Sequence, residues 1–417
     1  MPESPLSIRK NIVWNSVGNF IYLFSQWLLS YCVVKLLGFE DAGILSLATA
    51  IAGSFIGISL YGMRNFQVSD IEGKYPDKTY IVSRFVTSGI SLVVCMAFVA
   101  FNAYSLYISV CILVYMCFKI SESVSDVYQG ILQKAMRMDY IGRSFIAKGL
   151  VTLAAFVVAI SLTQNLLIGI VVLGISSFAI VFFYDRRKAR KFSPVEKDVA
   201  WRPSVTALLK ECLPIAVFVL IFNMIAQVPR YFLEINMGVE ALGIYATIAM
   251  PVVIVQVSAS FVFAPLTTPF AQHLSDGNIE GFKALFKKVV LFIAGLSVVS
   301  LVGFGILGDW ILVLLFGPVI EPYTYLLIPL VICTILVAAS WFLSMILVVL
   351  RKLKSLLFTS IASFAVVAAG SMPCILSFGQ NGASFILIIG LTVYALSNII
   401  VVIYEVRSRA QGTKTPV

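Results

Sequence analysis

Chemistry in this chain starts from a few polar side chains set inside long apolar runs. Lys35 and Arg230 are the two cations in the outer halves of such runs, and Glu234 follows Arg230 one helical turn on. Amides recur around them at helical spacing. One run carries Asn15, Asn19, Tyr22, Gln26 and Ser30; another carries Asn223, Gln227, Arg230 and Glu234. Steps of three and four residues keep each set on one helix face. Ammonium, guanidinium and carboxamide groups of this kind hold anions and hydroxyls.

A catalytic set is missing. The single histidine, His273, excludes a multi-histidine metal site, and with only Asp276 nearby it makes no triad; it reads as a loop residue. Neither G-x-x-x-x-G-K-[ST] nor H-E-x-x-H occurs. The cysteines (Cys32, Cys95, Cys111, Cys117, Cys212, Cys333, Cys374) form no C-x-x-C pair. Most lie in apolar runs, where a thiol behaves as a small hydrophobe, and no disulfide is expected. No metal and no cofactor is expected.

The elements that position these groups are membrane helices. Of 417 residues, 60% are hydrophobic and only 12% charged. Soluble domains run to about 45–50% apolar and about 25% charged. That contrast excludes a soluble enzyme, a nucleic-acid-binding domain and a disordered scaffold. It predicts an all-α polytopic membrane protein. A crossing helix needs about 20 apolar residues. Twelve segments qualify, near 12–37, 42–62, 80–101, 104–120, 146–163, 166–184, 212–235, 242–264, 289–307, 323–350, 355–376 and 383–404. The first is too long for a signal-peptide core and no cleavage site follows it, so it is read as a retained helix. Lys119 to Asp126 is read as a solvated prolongation of the fourth helix, carrying Glu122 and Asp126.

Lysine and arginine sit on one side of this topology, at Arg9, Lys10, Arg64, Lys74, Lys78, Lys134 to Lys148, Arg186 to Lys210, Lys283 to Lys288, Arg351 to Lys354 and Arg407 to Lys414. The opposite loops hold no lysine or arginine but do hold Glu40, Asp41, Glu240, Asp309 and Glu321. The positive-inside rule puts the basic side, and both termini, in the cytoplasm. The net charge of +10 is thus a topology signal, and no nucleic-acid partner is expected.

The hydrophilic stretch from Asp185 to Glu211 divides the chain into an N-terminal six-helix lobe (1–185), a cytoplasmic linker (186–211) and a C-terminal six-helix lobe (212–417). The lobes echo each other. Gly38-Phe39-Glu40-Asp41-Ala42-Gly43-Ile44 and Gly238-Val239-Glu240-Ala241-Leu242-Gly243-Ile244 both read G-x-E-x-x-G-I, each in the outer turn after the first helix of its lobe. Glycine there supplies unusual dihedrals, and the acid suits the next helix's dipole. With six spans each, the repeats are parallel, related by a pseudo-twofold along the membrane normal.

An intramembrane charge costs about 2.5–3.5 kcal/mol or more on insertion scales. Arg230 is therefore read either as an intrahelical partner of Glu234 or as part of a wet cleft wall. Lys35 either snorkels or faces a cavity. The amide rows are either interhelical glue or two polar walls. Arg64, at the inner end of the second span, reads as a topology anchor. Pro214, Pro229, Pro251, Pro265 and Pro329 are expected bending points. Trp27, Tyr31, Tyr231 and Tyr245 read as interfacial anchors.

Lys35-Leu36-Leu37-Gly38 through Gly43-Ile44-Leu45-Ser46-Leu47-Ala48, with Leu60-Tyr61-Gly62-Met63-Arg64, resembles the N-terminus of Wzx-type polysaccharide (O-antigen or oligosaccharide) flippases. Leu314-Leu315-Phe316-Gly317 resembles them too. These belong to the multidrug/oligosaccharidyl-lipid/polysaccharide exporter superfamily. The resemblance implies a monomeric carrier, in the lipopolysaccharide type of pathway, for undecaprenyl-diphosphate-linked oligosaccharide. Such carriers hold the headgroup in a cationic cavity between two lobes. Lys35, Arg230 and Arg64 are the positions that fit, with Asn19, Gln26, Asn223 and Gln227 contacting sugar or phosphate oxygens and Glu234 completing the expected substrate-binding set. The implied partners are that lipid-linked oligosaccharide, membrane lipids, glycosyltransferases and a polysaccharide polymerase; the implied location is a bacterial inner membrane. Two alternatives remain open. One is a cation-coupled drug antiporter of the same superfamily, with Glu234 as its embedded carboxylate. The other is a membrane polysaccharide polymerase or ligase, which calls for a sizeable external loop with basic or catalytic residues.

Overall fold

A computed structural model describes residues 5–70, 74–193, 201–263 and 266–410. Among these the chain is helical, with no β-strand: α1 (Ile8–Leu36), α2 (Phe39–Leu60), α3 (Met63–Ser69), α4 (Asp77–Phe101), α5 (Leu106–Lys134), α6 (Met138–Thr163) and α7 (Leu166–Ile180), then a π-turn (Val181–Asp185) leading into α8 (Arg186–Ala189). The remainder is α9 (Trp201–Phe263), α10 (Thr267–Ser275), α11 (Ile279–Phe316), a 3-10 segment (Pro318–Leu326), α12 (Leu327–Val349), α13 (Leu353–Phe378) and α14 (Gln380–Ala410). Eleven helices are long and apolar enough to cross a membrane, and the longest, Ser204–Ala259, breaks at Gly238. The chain is a multi-pass membrane protein of roughly twelve spans, as its hydropathy predicts.

Two compact units divide the chain, Met1–Asn223 and Met224–Val417. In the first, α1 packs on α6, α2 on α4 and α5, and α7 on α5 and α6. In the second, α14 packs on α12 and α13, and α11 on α12.

The matched turns fold alike. Gly38 has φ 95° and ψ −173°, and Gly238 has φ 85° and ψ 170°. That corner of dihedral space is essentially reserved for glycine. Gly38 ends α1 and starts α2, whose first turn carries Glu40 and Asp41. In α9, Gly238 is the one residue with non-helical dihedrals, so the helix runs through Pro214, Pro229 and Pro251 without such a break. Glycine also sets how closely helices approach. A Cβ on Gly18 of α1 would lie 2.5 Å from Gly142 Cα of α6, and one on Gly142 would lie 2.3 Å from the Trp14 carbonyl oxygen. Small residues at crossings are the membrane way of bringing helices together, since lipid supplies no hydrophobic drive.

Several expectations change. α5 runs unbroken to Lys134, and Lys119, Glu122 and Asp126 are only about a fifth exposed, so this stretch packs inside the unit and is not a solvated extension. Each of its charges finds a partner there, which removes the reason to face water. His273 lies in α10, not in a loop. The segment 308–322, expected as an outer loop, is mostly helical: α11 continues to Phe316 and the 3-10 segment follows. Pro194, Lys197, Pro265 and Lys414 lie outside the described residues.

Near the basic end of the first unit, Asp70 ties the chain between α3 and α4. It accepts from the backbone N–H of Lys74 at 2.8 Å and of Tyr75 at 3.0 Å, and from the Tyr80 hydroxyl at 3.2 Å. Burial pushes its carboxyl up, but these donors outweigh burial and hold it below the usual carboxylate range.

Candidate functional site

Arg64 is where the structure concentrates polar chemistry. Tyr61 and Gly62, both left-handed at φ 52° and 62°, turn the chain from α2 into α3. That turn lays Arg64 against α5. Its guanidinium donates to Asp126 Oδ1 at 2.7 Å, to Gln129 Oε1 at 3.1 Å and to Gln133 Oε1 at 3.1 Å. Arg84 of α4 takes the other Asp126 oxygen at 2.9 Å and donates to the Ser59 carbonyl at 2.8 Å. The Arg84 side chain is wholly buried, while Arg64 keeps 26% of its side chain exposed. One carboxylate therefore serves two guanidiniums. The cluster keeps an excess positive charge, and that charge reaches the surface of the unit at Arg64. A guanidinium with free donors and a partly wet face is suited to a phosphate or carboxylate.

The network extends inward. Gln129 Nε2 donates to Ser125 Oγ at 3.0 Å, and Ser125 in turn donates to Asp185. Lys148 of α6 pairs with Asp185 at 3.1 Å, both side chains nearly without exposed surface. Lys119 pairs with Glu122 at 2.7 Å. Sequence reasoning placed Glu122 and Asp126 on a solvated prolongation and gave Arg84 no role. The signal it passed over is the spacing of Lys119, Glu122, Asp126, Gln129 and Gln133, one continuous face of α5.

The remaining first-unit candidates lie on α1. Asn19 and Gln26 are half-buried. The Tyr22 hydroxyl and Gln26 Nε2 are buried with no hydrogen-bond partner among the described residues, an arrangement that costs free energy until a partner arrives. Lys35, exposed in the last turn of α1, lies 5.9 Å from the Tyr31 ring centroid. It caps a ladder of near-parallel rings, Phe20, Phe24, Trp27 and Tyr31, with centroids 5.7–6.3 Å apart.

The row of polar residues on α9 is shared by the two units. Asn223 closes the first unit, near Gly57 of α2. Gln227, Arg230 and Glu234 belong to the second. Gln227 Oε1 is buried without a partner among the described residues. Arg230 is half-buried, and Tyr245 and Cys333 are its electrostatic neighbours. The Tyr245 hydroxyl bonds Ser384 Oγ at 3.0 Å, and Cys333 Sγ donates to the Ser384 carbonyl at 3.4 Å. Arg64 thus binds α5 and shares Asp126 with Arg84 of α4, whereas Lys35 sits on α1 beside Tyr31. Among the described residues no group of three or more histidine, cysteine, aspartate or glutamate side chains is placed to hold a metal.

Residues 8–269 match the family described as "Polysaccharide biosynthesis protein". The chain belongs to this family. A curated relative, the capsular polysaccharide biosynthesis protein CapF of Staphylococcus aureus, is 27% identical over 318 residues, covering 74% of this chain and 77% of CapF. In fold, the polysaccharide biosynthesis chain resembles multidrug transporters. A MATE family transporter of the MOP superfamily, solved in an inward-facing conformation, superposes with TM-score 0.71 at 13% identity, covering 98% of this chain and 100% of that one. A Vibrio cholerae MATE transporter in a bent form gives 0.61 at 13% identity, covering 95% and 96%. The chain is thus a member of a polysaccharide biosynthesis family with the fold of these transporters.

Proposed function

We propose that this chain moves undecaprenyl-diphosphate-linked oligosaccharide from the cytoplasmic to the outer leaflet of a bacterial inner membrane by alternating access. The glycan is destined for a surface polysaccharide, of the capsular type that the CapF likeness favours. The observation that carries this reading is the match to a polysaccharide biosynthesis family on a transporter fold. The electrostatics support it. The cargo's headgroup is a diphosphate, and Arg64 offers it a guanidinium from a cluster with excess positive charge. Lys35 and Arg230 add cations on other helices, and Gln26 Nε2 and Gln227 Oε1, without partners among the described residues, suit phosphate oxygens and sugar hydroxyls respectively. An inside-negative potential favours outward movement of negative charge by about 2.3 kcal/mol per charge per 100 mV. In this reading both termini are cytoplasmic, the carrier is a monomer, glycosyltransferases supply the cargo and a polymerase consumes it.

The test is export of the glycan in cells lacking the chromosomal copy. Arg64→Ala and Arg230→Ala should each cut surface glycan at least tenfold, with membrane insertion retained. Full export by both variants, or drug efflux with no effect on the glycan, would replace this reading with that of a drug antiporter on the same fold.

A further inference from the structure

Three cations crowd one tyrosine at the end of the first unit where α6 begins. The Tyr140 ring is buried, and its centroid lies 4.5 Å from the Arg137 guanidinium, 4.6 Å from Lys188 Nζ and 5.8 Å from the Arg143 guanidinium. Arg143 also lies 5.2 Å from the Trp14 ring, and Lys188 lies 5.8 Å from the Tyr184 ring. Of these cations Arg137 is neutralised, by a two-point pair with Asp139 at 2.8 and 2.9 Å. Neither Arg143 nor Lys188 forms an ion pair among the described residues, although Asp139, already paired with Arg137, is an electrostatic neighbour of Arg143. A cation over a ring gains about 0.5–2 kcal/mol without losing its charge, so the two still repel each other across Tyr140. Beside them the Tyr184 hydroxyl is buried and has no hydrogen-bond partner among the described residues.

Two unneutralised cations and an unused phenol donor around an aromatic floor select an oxyanion with two charges. The neighbouring surface selects a lipid to carry it. Phe182 and Phe183, next to Tyr184 in the chain, are 41% and 72% exposed, and Trp14 is the residue type that settles at a headgroup boundary. Basic pockets at the inner ends of membrane helices take lipid phosphates in this way.

We propose that Arg143, Lys188 and Tyr184 form a binding site for the headgroup of a lipid bearing two phosphate charges, whatever cargo the protein carries. Arg143 and Lys188 each take one phosphate, the Tyr184 hydroxyl donates to a phosphate oxygen, and the apolar chains lie along Phe182 and Phe183. A polyprenyl diphosphate and cardiolipin share this chemistry.

The experiment is native mass spectrometry of the full-length detergent-purified protein, titrated separately with undecaprenyl diphosphate, cardiolipin, phosphatidylethanolamine and inorganic pyrophosphate. One or both of the doubly charged lipids should bind, and whichever binds identifies the source. Arg143→Gln with Lys188→Gln should weaken that binding about tenfold, and Tyr184→Phe several-fold. Arg187→Gln, in the same basic run but outside the cage, should leave it unchanged. If the double variant does not fold, Tyr184→Phe, which removes one oxygen, carries the test. Unchanged binding in these variants, an equal loss in Arg187→Gln, or pyrophosphate binding as tight as either lipid would overturn the proposal.

Discussion

Arg84 meets Asp126 at 2.9 Å from a side chain with no exposed surface, and that pairing makes Asp126 the keystone of the first unit. Removing one partner of a buried pair costs about 3–5 kcal/mol because the other charge stays buried. Asp126→Asn should therefore lower the melting temperature of the purified protein sharply. Replacing both members with apolar residues, Arg84→Met with Asp126→Leu, should recover part of that loss. A thermal-shift series on the three proteins checks this.

The matched glycines make a cleaner test of backbone strain. A Cβ would meet nothing within 4 Å at either Gly38 or Gly238, so substitution meets no steric obstacle beyond the positive φ. Alanine at each should cost about 1–3 kcal/mol. Gly174 of α7 also has open space but no positive φ. Alanine there should be neutral or mildly stabilising, by about 0.5–1 kcal/mol. Melting temperatures of the three single variants separate the cases.

At Gly142 the obstacle is steric instead. A methyl group there would press on the Trp14 carbonyl, which is backbone and cannot swing aside. Gly142→Ala should push α1 away from α6 and cost about 1–3 kcal/mol. A cross-link between cysteines placed on α1 and α6 near this crossing should form more slowly in the variant.

Acid should act through Asp70. Its carboxyl is held below the ordinary value in the folded protein, so the stability it confers is complete above that ordinary value, about 3.9. That stability drains away as the pH falls towards the folded value. Asp70→Asn should lower the melting temperature at neutral pH, and the gap from the parent should close at the acid end of the titration. A constant gap across pH would contradict the assignment.

Most of the helices were legible in the sequence, because twenty apolar residues in a row admit few alternatives. The G-x-E-x-x-G-I turns were legible too, since a local dihedral requirement leaves a local trace. The partners of Arg64 were not. Asp126 lies 62 residues away and Arg84 meets it across another 42, a closeness that only the packing of α3 and α4 on α5 creates. Read singly, Arg64 looked like an anchor and Asp126 like a solvated charge. The Tyr140 cage was hidden for the same reason, as Trp14, Arg143 and Lys188 arrive from α1, α6 and α8.

The first unit runs on to Asn223, past the hydrophilic stretch at which the sequence predicts the lobes to divide. Leu208 and Cys212, both fully buried, complete a core with Met63, Tyr80, Val127 and Val181. The border expected from the sequence and the border of the compact unit therefore differ. A gene cut at the linker would yield an N-terminal fragment with an open seam along that core, needing the opening turns of α9 in trans before it could hold its shape.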